Sequence, residues 1–108
     1  MKNRDDLLSG LGRFSEPSLY ILISPADGPK HAYAMTQDIE AVSGQKLGPG
    51  TLYGAIARLE ARNWIEPLPT EERRRPYRLT AVGQRVLRHR LESLRSVARV
   101  GRARLAEG

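Results

Sequence analysis

The segment LGPGTLYGAIARLEARNWIE, residues 47–66, constrains the fold more than any other part of the sequence. It offers a first helical residue in Pro49, a weak amino-terminal cap in Gly48 and a left-handed closing position at Asn63. At about 100° per residue, its large apolar side chains share one narrow stripe with Ala55 at its side. These side chains are Leu52, Ile56 and Leu59. The pattern predicts a helix that packs its inner face on a core and leaves small residues on the outside.

Two further helices are predicted before this segment. Pro17 stands in a first helical position ahead of a compact apolar stretch, which ends at the turn cluster SPADGPK. A second helix is predicted from Lys30 to Ser43, because its apolar residues follow helical spacing and Gly44 is a typical carboxyl cap. Those apolar residues are Tyr33 or Ala34, Met35, Ile39 and Val42. About five residues then lead to the third helix, a length typical of packed helix pairs.

The periodicity changes after Asn63. The short stretches WIEPL and PYRLT flank PTEERRR, which predicts a small hairpin with an arginine-rich tip. Pro67 and Pro76 limit its strands to edge or end positions, and Thr80 is the expected cap of a long last helix. Three helices, a hairpin and a further helix are the element order of a mainly α (α+β) winged helix with a two-stranded wing. We expect residues 1–80 to form the winged-helix domain with an amino-terminal extension, and residues 81–108 a last helix in the same compact unit.

Composition excludes several classes of function. The 108-residue chain has no Cys and two His, His31 and His89, which argues against disulfides and a metal site. No nucleophile paired with His and no glycine loop followed by Lys is present, so an enzyme is not expected. No apolar run approaches a membrane span and the amino terminus carries acids, so we expect a cytoplasmic protein without a membrane partner or cofactor.

Charge is distributed unevenly along the chain. Residues 1–45 hold four Lys or Arg and six Asp or Glu, whereas residues 46–108 hold fourteen and six. The total is +6 with a pI near 10.3. A basic half of this kind indicates a polyanionic partner, for which nucleic acid is the usual candidate.

The outward face of the third helix has two interpretations. Gly54, Ala57 and Ala61 form its centre, with Arg58 and other polar residues at its sides. Small residues allow close approach to a DNA major groove, but Ala is also common on solvent-facing helices for its propensity alone. The arginine hairpin that follows favours DNA, because the wing of a winged helix lies beside the recognition helix and binds flanking phosphates.

The motifs GPGTLYGAIARLEARNWIE and RRRPYRLTAVGQRVL, preceded by KHAYAM, resemble the PadR-type winged-helix transcriptional regulators from about Pro17 to Leu94. The resemblance implies that GTLY opens the recognition helix, that the basic turn before YRLT is the wing, and that the last helix makes a homodimer. It implies DNA contacts at Lys46, Thr51, Tyr53, Arg73, Arg74 and Arg75. With a single final helix, the chain resembles the smaller of the family's two size classes. The departures are Gly48 in place of Ser, Ala32 in place of Gly, and Asn63 in place of Gly.

The last helix carries an a/d heptad pattern, with residues alternately four and three apart. These positions, here called the seam, are Leu87, Leu91, Leu94, Ala98, Gly101 and Leu105. Arginines flank the seam, so two copies would bring like charges together unless an acidic segment intervenes. We expect Asp5, Asp6 and Glu16 of the other chain to do so. The alternative is a seam that folds back on its own chain.

These features predict a homodimeric regulator of double-stranded DNA that reads an inverted repeat and most simply represses transcription. Arg58 is the long polar side chain on the outward face, so we expect few base contacts and much shape readout. The alternative is a winged helix that binds an acidic protein. The resemblance also implies a possible small-molecule effector, because some members of the family bind aromatic ligands near the dimer interface. The last helix of this chain has no aromatic residue to stack on such a ligand, so the identity of an effector is left open.

Some residues have structural roles in this interpretation. His31 is expected to cap or pack at the start of the second helix, and Trp64 to join the core. Tyr20, Tyr33 and Tyr77 are expected to bury their rings and keep their hydroxyls at the surface.

Overall fold

The computed structural model describes residues 17–108. Helices and strands follow each other in the order of a winged helix. They are α1 (Pro17–Ile23), a 3₁₀ turn (Ser24–Asp27), β1 (Lys30–His31), α2 (Ala32–Ser43), α3 (Pro49–Ala61), β2 (Ile65–Pro67), β3 (Pro76–Leu79) and α4 (Ala81–Glu107). This part of the chain has the predicted mainly helical architecture with a small sheet.

Local signals set most helix ends. Gly48 is the extended residue before α3, Pro49 is its first residue, and Asn63 has a left-handed φ of 60° after its last turn. Gly44 closes α2 with a φ of 73°, and Thr80 caps α4 by accepting a 2.9 Å hydrogen bond from the Gly83 amide. These predictions are confirmed.

The start of α2 differs from the prediction. The helix begins at Ala32 rather than Lys30, because Lys30 and His31 form strand β1. His31 is extended, and its Nδ1 accepts a hydrogen bond from the Ala34 amide at 3.3 Å, so it is a capping residue as expected. The extended backbone of His31 is what a helix needs immediately before its first residue.

The sheet has three strands, in the order β1-β3-β2, and both pairs are antiparallel. The predicted two-stranded wing is β2 with β3, and β1 is added on the other side of β3. Lys30 pairs with Tyr77, and Ile65 pairs with Leu79. Strand β1 therefore attaches the start of α2 to the wing.

The core lies between the helices and the sheet. The inner stripe of α3, together with Ala55, is at most 4% exposed, as predicted. It packs with Ile21, Leu22, Met35, Ile39, Ile65, Leu79 and Leu87, and Trp64 lies half-buried against them. The opposite face of α3 is thereby fixed toward solvent.

Helix α4 leaves this core after about two turns. Gly83 and Leu87 are its buried residues, whereas residues 91–108 are all exposed. The helix has 27 residues, about 40 Å of length, and the described chain measures 53 Å along its longest axis. None of the helices in residues 17–108 is long and apolar enough to span a membrane.

Candidate nucleic-acid interface

The outer face of α3 is exposed where the sequence predicts DNA contacts. Thr51, Tyr53, Ala57 and Arg58 are all exposed, and Tyr53 keeps 57% of its surface accessible. Arg58 folds back along the helix, so that its Nη1 lies 3.6 Å from the place that a Cβ on Gly54 would occupy. Because its central residues have small side chains, this face of α3 projects little beyond the helix backbone, and the Arg58 guanidinium lies along it.

The tip of the wing is a closed two-residue turn. Glu71 and Arg74 exchange backbone hydrogen bonds of 2.7 and 2.8 Å. The residues between them, Glu72 and Arg73, have φ values of 47° and 68°, as the central residues of a type I′ turn require. Gly and Asn are the usual residues at such positions, so this tip holds two side chains in a strained backbone conformation. The turn fixes the direction in which Arg73 leaves the wing.

Arg74 packs against the start of α2. Its guanidinium carbon lies 5.6 Å from the ring centroid of Tyr33, and its Nη1 lies 3.2 Å from Nε2 of His31. The His31 and Tyr33 rings are stacked, with centroids 6.5 Å apart and an angle of 13° between their planes. The expectation that Tyr33 buries its ring is wrong, because the residue is 60% exposed and its ring lies beside the wing. Tyr20 and Tyr77 do lie half-buried against the core.

A cleft of about 250 Å³ joins α2, α3 and the wing. We call this hollow the wing cleft. It is lined by His31, Ala32, Tyr33, Tyr53, Arg73, Arg74, Arg75 and Tyr77. Its formal charges are three guanidinium groups, which makes it a concave site for an anion. Burial, reinforced by the Glu60 carboxylate, raises the pKa of Tyr77, so the Tyr77 phenol stays protonated at neutral pH.

The structure groups some of the predicted site residues and separates others. Tyr53 and the three wing arginines meet in the wing cleft, and Lys46 lines a neighbouring groove with Tyr53. Thr51 and Arg58 line neither hollow and lie elsewhere on the exposed face of α3. The interface therefore combines a concave cationic part with a flat helical part.

The ion pairs within residues 17–108 involve Lys30 and Arg78 rather than the wing arginines. Lys30 pairs with Asp27, lies 3.7 Å from Asp38, and donates a 2.7 Å hydrogen bond to the Ser24 carbonyl. Arg78 pairs with Glu66 across the hairpin. Within residues 17–108 the three wing arginines make no ion pair, although Glu71 and Glu72 precede them in the wing tip.

His31 and Tyr33 belong to this surface, although the sequence analysis assigned them structural roles. The signal that could have identified Tyr33 is its place on α2: at about 100° per residue it lies about 160° from Met35, which is buried. A large aromatic ring on the outward side of a helix-turn-helix, next to a basic hairpin, is typical of a binding surface.

Comparison with known proteins identifies the family. A model of the PadR-like transcriptional regulator family matches residues 19–89. The transcriptional regulator Rv3488 of Mycobacterium tuberculosis is 36% identical over 87 residues, which cover 75% of this chain and 78% of that protein. An uncharacterised 37.1 kDa protein of transposon Tn4556 from Streptomyces fradiae is 45% identical over 82 residues. The match covers 76% of this chain but only 24% of that relative's length.

A solved structure shows the same fold. A PadR family transcription regulator from Clostridium difficile superposes with a TM-score of 0.71 at 24% sequence identity, covering 77% of this chain and 91% of its own. The matching family consists of transcription regulators and not of enzymes, in agreement with the interpretation of the sequence. The chain belongs to the PadR-like family of transcriptional regulators and has the winged-helix fold of a DNA-binding regulator.

Proposed function

We propose that this protein is a repressor that binds an inverted-repeat operator as a homodimer. The observation that carries the proposal is the wing cleft, which places three guanidinium groups that form no ion pair within residues 17–108 beside the exposed face of α3. A DNA duplex presents a major groove with phosphates on both sides, and this surface offers a helix with cations next to it.

The contacts divide into two kinds. Helix α3 enters the major groove, where its low profile permits close approach and Arg58 makes the base contacts. Lys46 and the three wing arginines contact phosphates, and Thr51 and Tyr53 contact phosphates or base edges. With few long side chains on α3, much of the sequence preference comes from DNA shape and deformability.

The proposed dimer forms through α4. Leu91, Leu94 and Leu105 are 44%, 49% and 82% exposed, and Ala98 is exposed between them, which is unfavourable for a helix in water. Leu87 instead packs in the chain's own core, so it contributes little to a seam with a second copy. The exposure from residue 91 onward argues against a seam that folds back on the described part of the chain. Residues 81–108 thus form the dimerisation helix of the proposed assembly.

Two parts of the proposal stay predictions. The acidic residues proposed to cover the arginines of the other chain, Asp5, Asp6 and Glu16, lie outside the described residues. Deleting residues 1–13 should weaken dimerisation more at low salt than at high salt, because charge complementarity is screened by ions. An effector would act on this assembly, and its chemistry is left unassigned.

DNA binding is tested by fluorescence anisotropy with the DNA upstream of the protein's own gene and with a scrambled duplex. We expect Arg58→Ala to relax the preference between the two, and Arg74→Ala to weaken binding to both alike. Identical effects of the two substitutions would contradict this division of roles. Weak binding that ignores sequence would instead favour a module for an acidic protein partner.

Dimerisation is tested by sedimentation equilibrium of Leu94→Glu. We expect this variant to be monomeric, since it places a carboxylate in the seam. The matched control is Ser96→Glu, which adds the same charge to an exposed position on the opposite side of α4. A dimer constant unchanged in Leu94→Glu, or lowered equally in Ser96→Glu, would refute the seam.

A further inference from the structure

Arg74 is the wing arginine with aromatic neighbours. The ring of Tyr33 lies 5.6 Å from its guanidinium carbon, within the range of a cation–π interaction. Tyr33 belongs to α2 and Arg74 to the wing, so the contact crosses between two parts of the fold that are 41 residues apart in sequence. Tyr33 is 60% exposed and takes no part in the core, so packing does not explain the ring.

The second neighbour, His31, holds Arg74 less firmly. An arginine only donates hydrogen bonds, so the 3.2 Å contact is a hydrogen bond only in the tautomer of His31 that leaves Nε2 as the acceptor. The Nδ1 atom of the same ring faces the Ala34 amide at 3.3 Å, which is also a donor. A neutral imidazole has one acceptor nitrogen, so the helix cap and Arg74 compete for it. The cation–π contact with Tyr33 does not depend on that nitrogen.

The backbone beneath Arg74 is already fixed. The two hydrogen bonds with Glu71 close the turn, and β3 begins at Pro76, two residues later. What is left free at this position is the long side chain, which loses rotamer entropy when a contact orders it. A group that holds the side chain in place before DNA arrives reduces the ordering cost of binding.

We propose that Tyr33 is a positioning residue that orients Arg74 over the wing cleft for contact with a DNA phosphate. The inference rests on the proposed function and adds to it a residue of α2. The Tyr33 ring acts through Arg74 rather than by touching DNA itself. It also stacks on His31, which holds the ring parallel to its neighbour at the start of α2.

The expected effect is modest and specific. An exposed cation–π contact is worth about 0.5–1 kcal/mol, which corresponds to a roughly two- to fivefold change in the dissociation constant. Tyr33→Ala should weaken DNA binding by that factor. Tyr33→Phe retains the aromatic face without the hydroxyl, and should bind like the wild type. Since Ala is a good helix former and Tyr33 is exposed, both variants should keep the thermal stability of the wild type.

The experiment is a double-mutant cycle on the full chain, with anisotropy titrations of wild type, Tyr33→Ala, Arg74→Ala and the double variant. In the Arg74→Ala background, Tyr33→Ala should cause no further loss. A second measurement needs no DNA: the ¹⁵N order parameter of the Arg74 Nε–H group should fall in Tyr33→Ala and stay high in Tyr33→Phe.

Each other outcome overturns the inference. Additive losses in the cycle, or a loss in Tyr33→Phe equal to that in Tyr33→Ala, would mean that Tyr33 contacts DNA directly. An unchanged order parameter would mean that the ring does not restrain Arg74. If the wild type itself binds no DNA, the proposed function fails and the positioning role fails with it. If it binds and the losses add, the inference alone is wrong.

Discussion

Gly83 of α4 lies against the backbone of Trp64, between α3 and the wing, and replacing Gly83 with Ala tests this packing directly. A Cβ at this position would lie 1.9 Å from the Trp64 carbonyl oxygen and 2.8 Å from the Trp64 carbonyl carbon. The Leu79 side chain would be 3.2 Å away. Ordinary contacts begin at about 3.5 Å, so the clash is with backbone atoms and exceeds what a side-chain rotation can relieve.

The magnitude follows from three contributions. Overpacking a closed site costs about 1–3 kcal/mol. The Trp64 carbonyl accepts a 3.1 Å hydrogen bond from the Thr80 amide, and displacing that carbonyl costs about 1 kcal/mol more. Ala is a better helix former than Gly, which returns about 0.8–1 kcal/mol. We therefore expect Gly83→Ala to lower the free energy of unfolding by about 1–3 kcal/mol.

The assay is urea unfolding followed by circular dichroism, at one protein concentration because association would stabilise the folded state. The matched control is Gly54→Ala in α3, where the added Cβ would lie 3.6 Å from Arg58 Nη1, an ordinary contact. This control should gain up to about 1 kcal/mol from helix propensity. A Gly83→Ala protein as stable as the wild type would refute the close approach of α4 to the wing.

Three further predictions concern the surface. Gly54→Ala should weaken DNA binding, measured by fluorescence anisotropy, while it stabilises the fold. The reason is that the added methyl group lies on the face of α3 proposed to enter the groove. Replacing Glu72 by Asn and Arg73 by Gly should stabilise the wing by about 1–2 kcal/mol in urea and reduce the salt dependence of DNA binding. The Lys30 ammonium lowers the pKa of Asp27 below 3.8, so this pair stabilises the fold above that pH and is lost as pH falls through the lowered pKa. An NMR titration of the Asp27 carboxyl should show that low pKa.

Each of these has a result that contradicts it. Unchanged DNA affinity in Gly54→Ala would mean that the small residues serve helix propensity alone. A wing destabilised by the Asn-Gly pair would show that its turn is not type I′. For Asp27 the control is Lys30→Gln, which should return the pKa of the carboxyl toward its ordinary value, and no change would remove Lys30 as the cause.

The sequence predicts α3 and the hairpin well because their signals are local. Gly48 and Pro49 start the helix, Asn63 ends it, and the apolar stripe between them decides which face is buried. The hairpin follows from two short apolar runs with a charged tip between them. None of these predictions needs knowledge of a residue distant in sequence.

Strand β1 was missed because its cause is not local. Two residues cannot show an alternating pattern, and Lys30 becomes a strand residue only by pairing with Tyr77. The position of Tyr33 was misassigned for a related reason, since the helical pattern allowed either Tyr33 or Ala34 on the apolar face. The heptad pattern similarly cannot distinguish Leu87, which packs in its own chain's core, from Leu91, which is exposed.

These non-local contacts decide how the interface behaves as a unit. Strand β1 joins the start of α2 to β3, and Tyr33 joins α2 to the wing tip through Arg74. At the other end, Gly83 places α4 directly on the backbone between α3 and the wing. These contacts connect the wing to α2 on one side and bring α4 against the segment that leads into it on the other. If the proposed homodimer forms, we expect changes in operator affinity to arise from the distance between its two copies, which the exposed part of α4 would set, rather than from motion of the wing.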